Sequence, residues 1–287
     1  MRGVGLVALA LAVAAAGCGG AASSSKQKPV VAAFYPLAWV AEQVGGPTVH
    51  VVDLTPSGAE PHDIELTPRD VQEIQDADLV LYLGSGFQPA VEKAVANRAG
   101  PSLDLLAGQK LHASPEAERG EALDPHVWLD PTRLATLVTA VGPELGREGR
   151  AAQLVSRLRR LDRQLAVGLA SCRRHEIVTS HAAFGYFGQR YGLQQIALTG
   201  LSPEAEPSPK DFERLVHEVE TSHATTVFFE ALVSPKLAET IAREAGAKTA
   251  LLDPLEGLTP SEAAAGSDYI SVMRSNLRTL RTALGCR

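Results

Sequence analysis

The sequence has few of the residues that several protein classes require. Its 287 residues include three cysteines, too few for a disulfide scaffold or a four-cysteine zinc site. Aromatic residues make up 5% of the chain and the formal net charge is −6, which argues against the stacking platforms and basic stripes of nucleic-acid-binding proteins. Hydrophobic residues nevertheless make up 45%, enough for sizeable cores, so a wholly disordered chain is excluded.

Long apolar runs are also missing, apart from one at the N-terminus. Residues 4–16 are apolar and follow Arg2, but this run is shorter than the roughly 20 residues that span a bilayer. It is typical of a signal peptide, which we predict over residues 1–17. The run ends in Ala15-Ala16-Gly17-Cys18, which resembles the bacterial lipobox, and residues 18–28 are typical of a flexible tether.

These features predict a chain outside the cytoplasm, anchored to the outer face of the cell membrane through a lipid on Cys18. The alternative is an ordinary signal peptide that happens to precede a cysteine. Outside the cytoplasm Cys172 and Cys286 can form a disulfide, which would fasten the last helix to the start of the second half of the chain. Two buried free thiols are the alternative for this pair.

The order of segments predicts an α/β fold with two lobes. Short, β-branched apolar segments alternate with helical ones in two series, over residues 29–145 and 172–287, as expected for mostly parallel sheets covered by helices. Between them, five leucines recur at spacings of 4, 3, 4 and 4 and share one helical face: Leu154, Leu158, Leu161, Leu165 and Leu169. We therefore expect one long helix, over residues 146–171, to join the two lobes.

Histidine is the residue type whose placement suggests chemistry. Three of the eight histidines and one aspartate lie at predicted strand ends or before a predicted helix: His62, His126, His181 and Asp253. Ligands of open α/β sheets gather at the carboxyl ends of strands, and three imidazoles with one carboxylate suit zinc. Two of the four come from each half, so we expect a metal site in the cleft between the lobes. The other five histidines are expected on the surface: His50, His112, His175, His217 and His223.

Five stretches carry a resemblance to a known family: Gly58–Pro68 (GAEPHDIELTP), Asp124–Pro131 (DPHVWLDP), Ser180–Leu193 (SHAAFGYFGQRYGL), Leu201–Pro209 (LSPEAEPSP) and Asp253–Leu258 (DPLEGL). With them the chain, from about residue 29 to its end, resembles the metal-binding subunits of bacterial ABC importers for zinc and manganese. The resemblance implies two α/β lobes joined by one long helix, with His62, His126, His181 and Asp253 as the ligands.

The resemblance also bears on which metal is bound. A histidine at position 181 favours the zinc branch, since manganese binders often have a carboxylate there. One departure weakens this preference: zinc members often carry a long loop rich in histidine before the second ligand, whereas Leu111–Leu123 is short and has one histidine.

We therefore expect a monomer that captures Zn²⁺ and delivers it to the membrane permease of an ABC importer. Glu60, in the first ligand loop, and Glu230, at the end of a predicted strand, are expected to orient the ligating imidazoles. Four protein ligands leave no position for a reactive water, so no enzymatic activity is expected. The alternatives are a manganese- or iron-binding member of the same family, a zinc hydrolase with Asp253 or Glu230 as its base, and a metal-binding surface adhesin.

Overall fold

The computed structural model describes residues 27–113, 123–203 and 207–287. The predicted signal peptide, Cys18 and most of the predicted tether lie outside the described residues, as do parts of the Leu111–Leu123 and Leu201–Pro209 loops. Within the described part of the chain, every helix is too short or too polar to cross a membrane.

The first half of the chain forms a parallel four-stranded sheet. Its elements are β1 (Lys28–Ala32), α1 (Tyr35–Gly45), β2 (Val49–Asp53), α2 (Pro68–Asp76), β3 (Leu79–Tyr82), α3 (Pro89–Ala96) and β4 (Ser102–Asp104). The strand order is β2-β1-β3-β4. Val30, Val31 and Ala32 of β1 are all buried, as expected where helices cover both faces of a parallel sheet.

Two long helices, α4 (Pro131–Leu145) and α5 (Glu148–Leu169), follow the first sheet. Asp130 accepts a hydrogen bond from the backbone N–H of Thr132 and so caps the start of α4. Gly146, with φ of 64°, ends α4 in the left-handed conformation, and the chain turns back into α5. The five leucines of the predicted stripe on α5 are buried, which confirms the long helix between two α/β lobes.

The second half repeats the topology of the first. Its elements are β5 (Glu176–Thr179), α6 (Gly185–Tyr191), β6 (Gln194–Ala197), α7 (Pro209–Thr221), β7 (Thr226–Phe229), α8 (Lys236–Glu244), β8 (Lys248–Leu251), α9 (Pro260–Ala264) and α10 (Tyr269–Leu284). The parallel sheet has the order β6-β5-β7-β8.

The helical end of the chain is interrupted once. It is divided into α9 and α10 because Gly266 takes a φ of 69°, which an α-helix cannot continue. Asp268 then accepts a hydrogen bond from the backbone N–H of Ser271 and starts α10 anew. A disulfide joins Cys172 to Cys286, so the predicted pairing is confirmed.

The buried hydrophobic side chains of residues 27–113, 123–203 and 207–287 form one large core and one small one. The large core takes in the first sheet, α4, α5 and the buried face of α10. The small core lies in the second lobe and holds eight fully buried residues, among them Val178, Leu215 and Val227. Helix α10 therefore packs with the first half of the chain as well as closing the second.

Candidate metal centre

Four side chains converge between the two sheets. One ligand atom from each of His62, His126, His181 and Glu256 lies within 4.8 Å of the other three. The three imidazole Nε2 atoms lie 3.2, 3.3 and 3.0 Å from Glu256 Oε1, respectively. His126 and His181 have no exposed surface and Glu256 is 1% exposed, so these three are shielded from bulk water, whereas His62 is partly exposed.

The parallel sheets place these residues at one end. His62 lies in the loop between β2 and α2, and His181 follows β5 after one residue. His126 directly precedes the 3₁₀ turn Val127–Leu129, and Glu256 lies in the loop after β8. The structure therefore brings together the three histidines that the sequence singled out, at the carboxyl ends of the strands as expected.

The fourth residue is Glu256 and not the predicted Asp253, which lies outside this group of four. Asp253 Oδ1 instead accepts a hydrogen bond from the backbone N–H of Leu255. The side chain of Asn276 also holds the backbone of Asp253, accepting from its N–H and donating to its carbonyl oxygen. Leu255 has a φ of 57°, a turn that brings the longer Glu256 side chain back into the cleft.

In two of the imidazoles, Nδ1, the ring nitrogen that faces away from Glu256, contacts a carboxylate. His126 Nδ1 lies 2.8 Å from Asp124 Oδ1. His181 Nδ1 lies 2.7 and 2.8 Å from the two carboxylate oxygens of Glu230. Because an ionised carboxylate only accepts hydrogen bonds, each Nδ1 carries the proton and each Nε2 in the neutral ring has a free lone pair. Both rings are thus oriented to present Nε2 to a metal.

Glu60 borders the site next to His62. Its Oε2 accepts a hydrogen bond from the backbone N–H of His62, and its Oε1 lies 3.9 Å from His62 Nε2. This Oε1 is buried and has no hydrogen-bond partner in the structure. Burial, with the nearby Glu256, raises the pKa of Glu60 to about 8.

Opposing influences set the charges of the central group in the absence of a metal. Burial alone would raise the pKa of Glu256, but His181 and the hydrogen bonds from the imidazoles hold it well below its usual range. Burial disfavours the charged form of His181, yet the Glu256 and Glu230 carboxylates raise its pKa well above the usual value. At His62 burial prevails and lowers the pKa. A metal bound at this group would therefore displace protons, since ligating histidine must be neutral.

A buried tryptophan links ligand loops from the two halves of the chain. Trp128 Nε1 donates a 2.8 Å hydrogen bond to the carbonyl oxygen of Pro254, two residues before Glu256. Trp128 itself lies two residues after His126, and its carbonyl oxygen accepts from the Tyr269 hydroxyl on α10. The backbones that carry His126 and Glu256 are thus held in register with each other.

Sequence reasoning missed Asp124 and Glu256, although each lies in a stretch that it singled out. The sequence feature that could have identified Asp124 is its position two residues before His126. From there one carboxylate oxygen contacts both Nδ1 and the backbone N–H of His126. Glu230, which the sequence singled out, contacts Nδ1 of His181. Of the five remaining histidines four are exposed, but His112 is half-buried and stacks on Tyr186 with 4.2 Å between ring centres.

The donor set matches a small, borderline-soft cation. Zinc bonds of about 2.0–2.1 Å in a tetrahedron place neighbouring donor atoms about 3.3 Å apart. The Nε2 to Oε1 distances here are 3.0–3.3 Å, and the His126 and His181 Nε2 atoms are 3.3 Å apart. Four of the six donor pairs thus already have the spacing of a zinc tetrahedron, and the two pairs between His62 and the other imidazoles lie within 4.8 Å.

Comparison with known proteins gives the same family from sequence and from structure. The zinc-binding protein AdcA of Streptococcus pyogenes is 36% identical over 88% of this chain and 55% of its own length. The high-affinity zinc uptake system protein ZnuA of Bacillus subtilis is 34% identical over 89% of this chain and 87% of its own length. The chain thus spans little more than half the length of the AdcA relatives that it matches.

A solved structure shows the same fold. The Zn(II)-bound ZnuA-like domain of Streptococcus pneumoniae AdcA is 35% identical and has a TM-score of 0.77, with 90% of this chain and 99% of that chain covered. Residues 30–283 match the family ZnuA, described as zinc-uptake complex component A periplasmic. On this match and these identities, the chain belongs to the ZnuA family.

Proposed function

We propose that this protein captures Zn²⁺ outside the cytoplasm and delivers it to the permease of an ABC importer. The observation that carries the proposal is the convergence of the three Nε2 atoms on Glu256 Oε1, at distances of 3.0–3.3 Å. That spacing suits tetrahedral zinc. The names of AdcA and ZnuA relatives, which describe zinc binding and zinc uptake, support it.

The ligands in this proposal are His62, His126, His181 and Glu256. Zinc is favoured over manganese because manganese prefers carboxylate, carbonyl and water oxygens, and here three of the four donors are nitrogen. Asp124 and Glu230 hold the rings of His126 and His181, so little conformational entropy is lost when zinc binds. Such preorganisation favours tight capture at low metal concentration.

The proposal assigns binding and not catalysis to this site. A catalytic zinc keeps a position for water or substrate, with three protein ligands. Here a fourth protein donor converges with the three imidazoles, and Glu230, the base of the alternative hydrolase, is engaged by Nδ1 of His181 on the side away from Nε2. Both features leave the Glu230 carboxylate without access to a metal-bound water.

The cellular setting follows from the same proposal. Relatives of this chain include a zinc-binding lipoprotein AdcA of Streptococcus pneumoniae, which supports a lipid anchor on Cys18. A monomer held at the outer face of the membrane can pass its metal to a permease in that membrane. Release then requires the loops of the two lobes to separate, because His62 and His126 come from the first half and His181 and Glu256 from the second.

The test separates the two carboxylates of the last ligand loop. Glu256→Gln removes the negative donor and is expected to weaken zinc binding by about a hundredfold or more, since loss of even an outer hydrogen-bond partner costs 10–100-fold. Asp253→Asn is the matched control, because it makes the same change from carboxyl to amide in the same loop at a residue outside the group of four. Competition titration with a zinc chelator measures both.

Two outcomes would contradict the proposal. Equal losses in both variants would show that charge in the loop matters and not ligation by Glu256. Preference of the unmodified protein for manganese over zinc, measured by elemental analysis after exposure to both metals, would overturn the choice of metal.

A further inference from the structure

Helix α5 presents a row of arginines on the side away from the core. Arg159, Arg160 and Arg163 are exposed. At about 100° per residue they lie within one arc of about 100°, opposite the buried leucine stripe. The acidic residue in this stretch, Asp162, is buried and forms an ion pair with Arg190 at 2.9 Å, so its charge is already matched from another helix.

Helix α10 presents a second row. Arg274, Arg278 and Arg281 are exposed and recur at spacings of 4 and 3, which places them on one helical face. From Tyr269 to Arg287 the sequence contains four arginines and neither aspartate nor glutamate. The outer face of this helix is therefore positively charged, in a chain whose formal net charge is −6.

The two rows lie side by side because the helices run parallel. Arg274 donates to Gln164 Oε1, and Leu277 contacts Gly168. Just beyond the C-terminal ends of the two helices Cys286 joins Cys172, so three contacts follow one another in the same order along both segments. Six arginines make up the resulting basic surface: Arg159, Arg160, Arg163, Arg274, Arg278 and Arg281. Among the described residues none of the six has an ion-pair partner within 4.0 Å.

Gln27, the first described residue, lies near the N-terminal end of α5. Gln27 Nε2 donates a hydrogen bond to the carbonyl oxygen of Pro47, and the neighbouring Val44 carbonyl accepts from Arg150, in the first turn of α5. Between Cys18 and Gln27 there are nine residue steps, which span at most about 30 Å. A lipid on Cys18 would therefore keep α5 close to the membrane.

We propose that the basic surface docks on the anionic lipid headgroups of the membrane to which the chain is anchored. This inference rests on the proposed location outside the cytoplasm and on the lipid anchor. Each arginine near an anionic membrane strengthens binding by about a factor of five, and the short tether raises the local concentration of headgroups. None of the six arginines lies in a ligand loop, so a docked molecule keeps its metal centre unobstructed.

The experiment uses the chain from residue 18 with Cys18→Ser, so that no acyl chain contributes to binding. Flotation with vesicles of phosphatidylglycerol and phosphatidylcholine is expected to recover the protein at low salt, and pure phosphatidylcholine vesicles are expected not to. The triple substitution R163Q/R278Q/R281Q is expected to weaken binding to the anionic vesicles by about a hundredfold. High salt should release the unsubstituted protein, because exposed charges are screened.

A matched triple variant provides the control. R69Q/R214Q/R243Q removes the same charge from exposed arginines on α2, α7 and α8 and is expected to bind the anionic vesicles like the parent. Equal weakening in both variants, or equal binding to neutral vesicles, would overturn the inference. Binding to soluble polyphosphate that exceeds vesicle binding would also overturn it, in favour of a soluble polyanion. Zinc affinity, measured in every variant, reports separately on the proposed function.

Discussion

The two lobes share one topology but differ in how they are stabilised. Both sheets place their strands in the same order. In the first, Val30, Val31 and Ala32 of β1 are fully buried within the large core. In the second, the buried apolar residues of the middle strands β5 and β7 are divided between the large core (Ile177, Phe228) and the small one (Val178, Val227). Burial of apolar surface therefore stabilises the first lobe more than the second.

The second lobe is stabilised in addition by a disulfide and by the packing of its last helix. The Cys172–Cys286 disulfide, with a sequence separation of 114, closes the whole lobe into one covalent loop. Helix α10 then packs its buried face into the large core. Because His181 and Glu256 come from this lobe, half of the metal centre depends on a less buried scaffold. We infer that the second lobe is the one that yields when the site opens.

Removing the disulfide tests this comparison most severely. Cys172→Ser with Cys286→Ser is expected to lower the free energy of unfolding by about 4 kcal/mol, because cross-linking a loop of this length restricts the unfolded chain strongly. Denaturant titration measures the change, and the parent protein kept under reducing conditions is the control. A loss below about 1 kcal/mol would show that packing alone holds the second lobe.

A pair of leucine truncations compares the two cores. Leu158→Ala, in the large core, is expected to cost about 3 kcal/mol and to speed amide exchange throughout the protein. Leu215→Ala, in the small core, should instead speed exchange mainly in β6, β7 and β8, since it acts on a locally opening unit. Both leucines are at most 1% exposed. Uniform exchange in the second variant would show that the lobes unfold as one.

The contact between ligand loops gives a smaller effect. Trp128→Phe removes the hydrogen bond to Pro254 and is expected to weaken zinc binding by about fivefold, because about 1 kcal/mol of loop positioning is lost. Trp39→Phe is the matched control: this tryptophan is also buried, but its Nε1 has no hydrogen-bond partner in the structure. Similar zinc affinities in the two variants would remove the role of Trp128.

Burial in the first lobe also makes its stability depend on pH, through the carboxyl group of Asp53. Burial raises the pKa of this carboxyl to about 7, whereas it lies near 4 in the unfolded chain. The folded state thus holds a proton that the unfolded state releases, so stability is fully present below about pH 4 and falls as the pH rises toward 7.

Asp53→Asn should remove this dependence. Between pH 5 and 8 we expect the free energy of unfolding of the parent to fall by about 2 kcal/mol more than that of the variant, a value reduced for the partial exposure of the side chain. Denaturation series at several pH values measure it, with the exposed Asp78→Asn as control. Parallel pH profiles for parent and Asp53→Asn would contradict the expectation.

Some features could be predicted from the sequence because they depend on local order. The leucine spacing of α5 and the alternation of strands and helices are periodic patterns, which predict elements without knowledge of their partners. His62, His126 and His181 could be singled out because strand ends are recognisable in the sequence. The domain boundaries at residues 145 and 171 remain a prediction, and α10 contributes to the core of both halves.

The fourth donor was decided by tertiary structure alone. The stretch Asp253–Leu258 offers two carboxylates, and no periodicity separates them. Asn276 holds the backbone of Asp253 from α10, and Leu255 turns at positive φ, so Glu256 enters the cleft. Local sequence patterns were enough to predict the lobes, the connecting helix and the three imidazoles, whereas the side chain that completes the group of four depends on contacts between residues far apart in the chain.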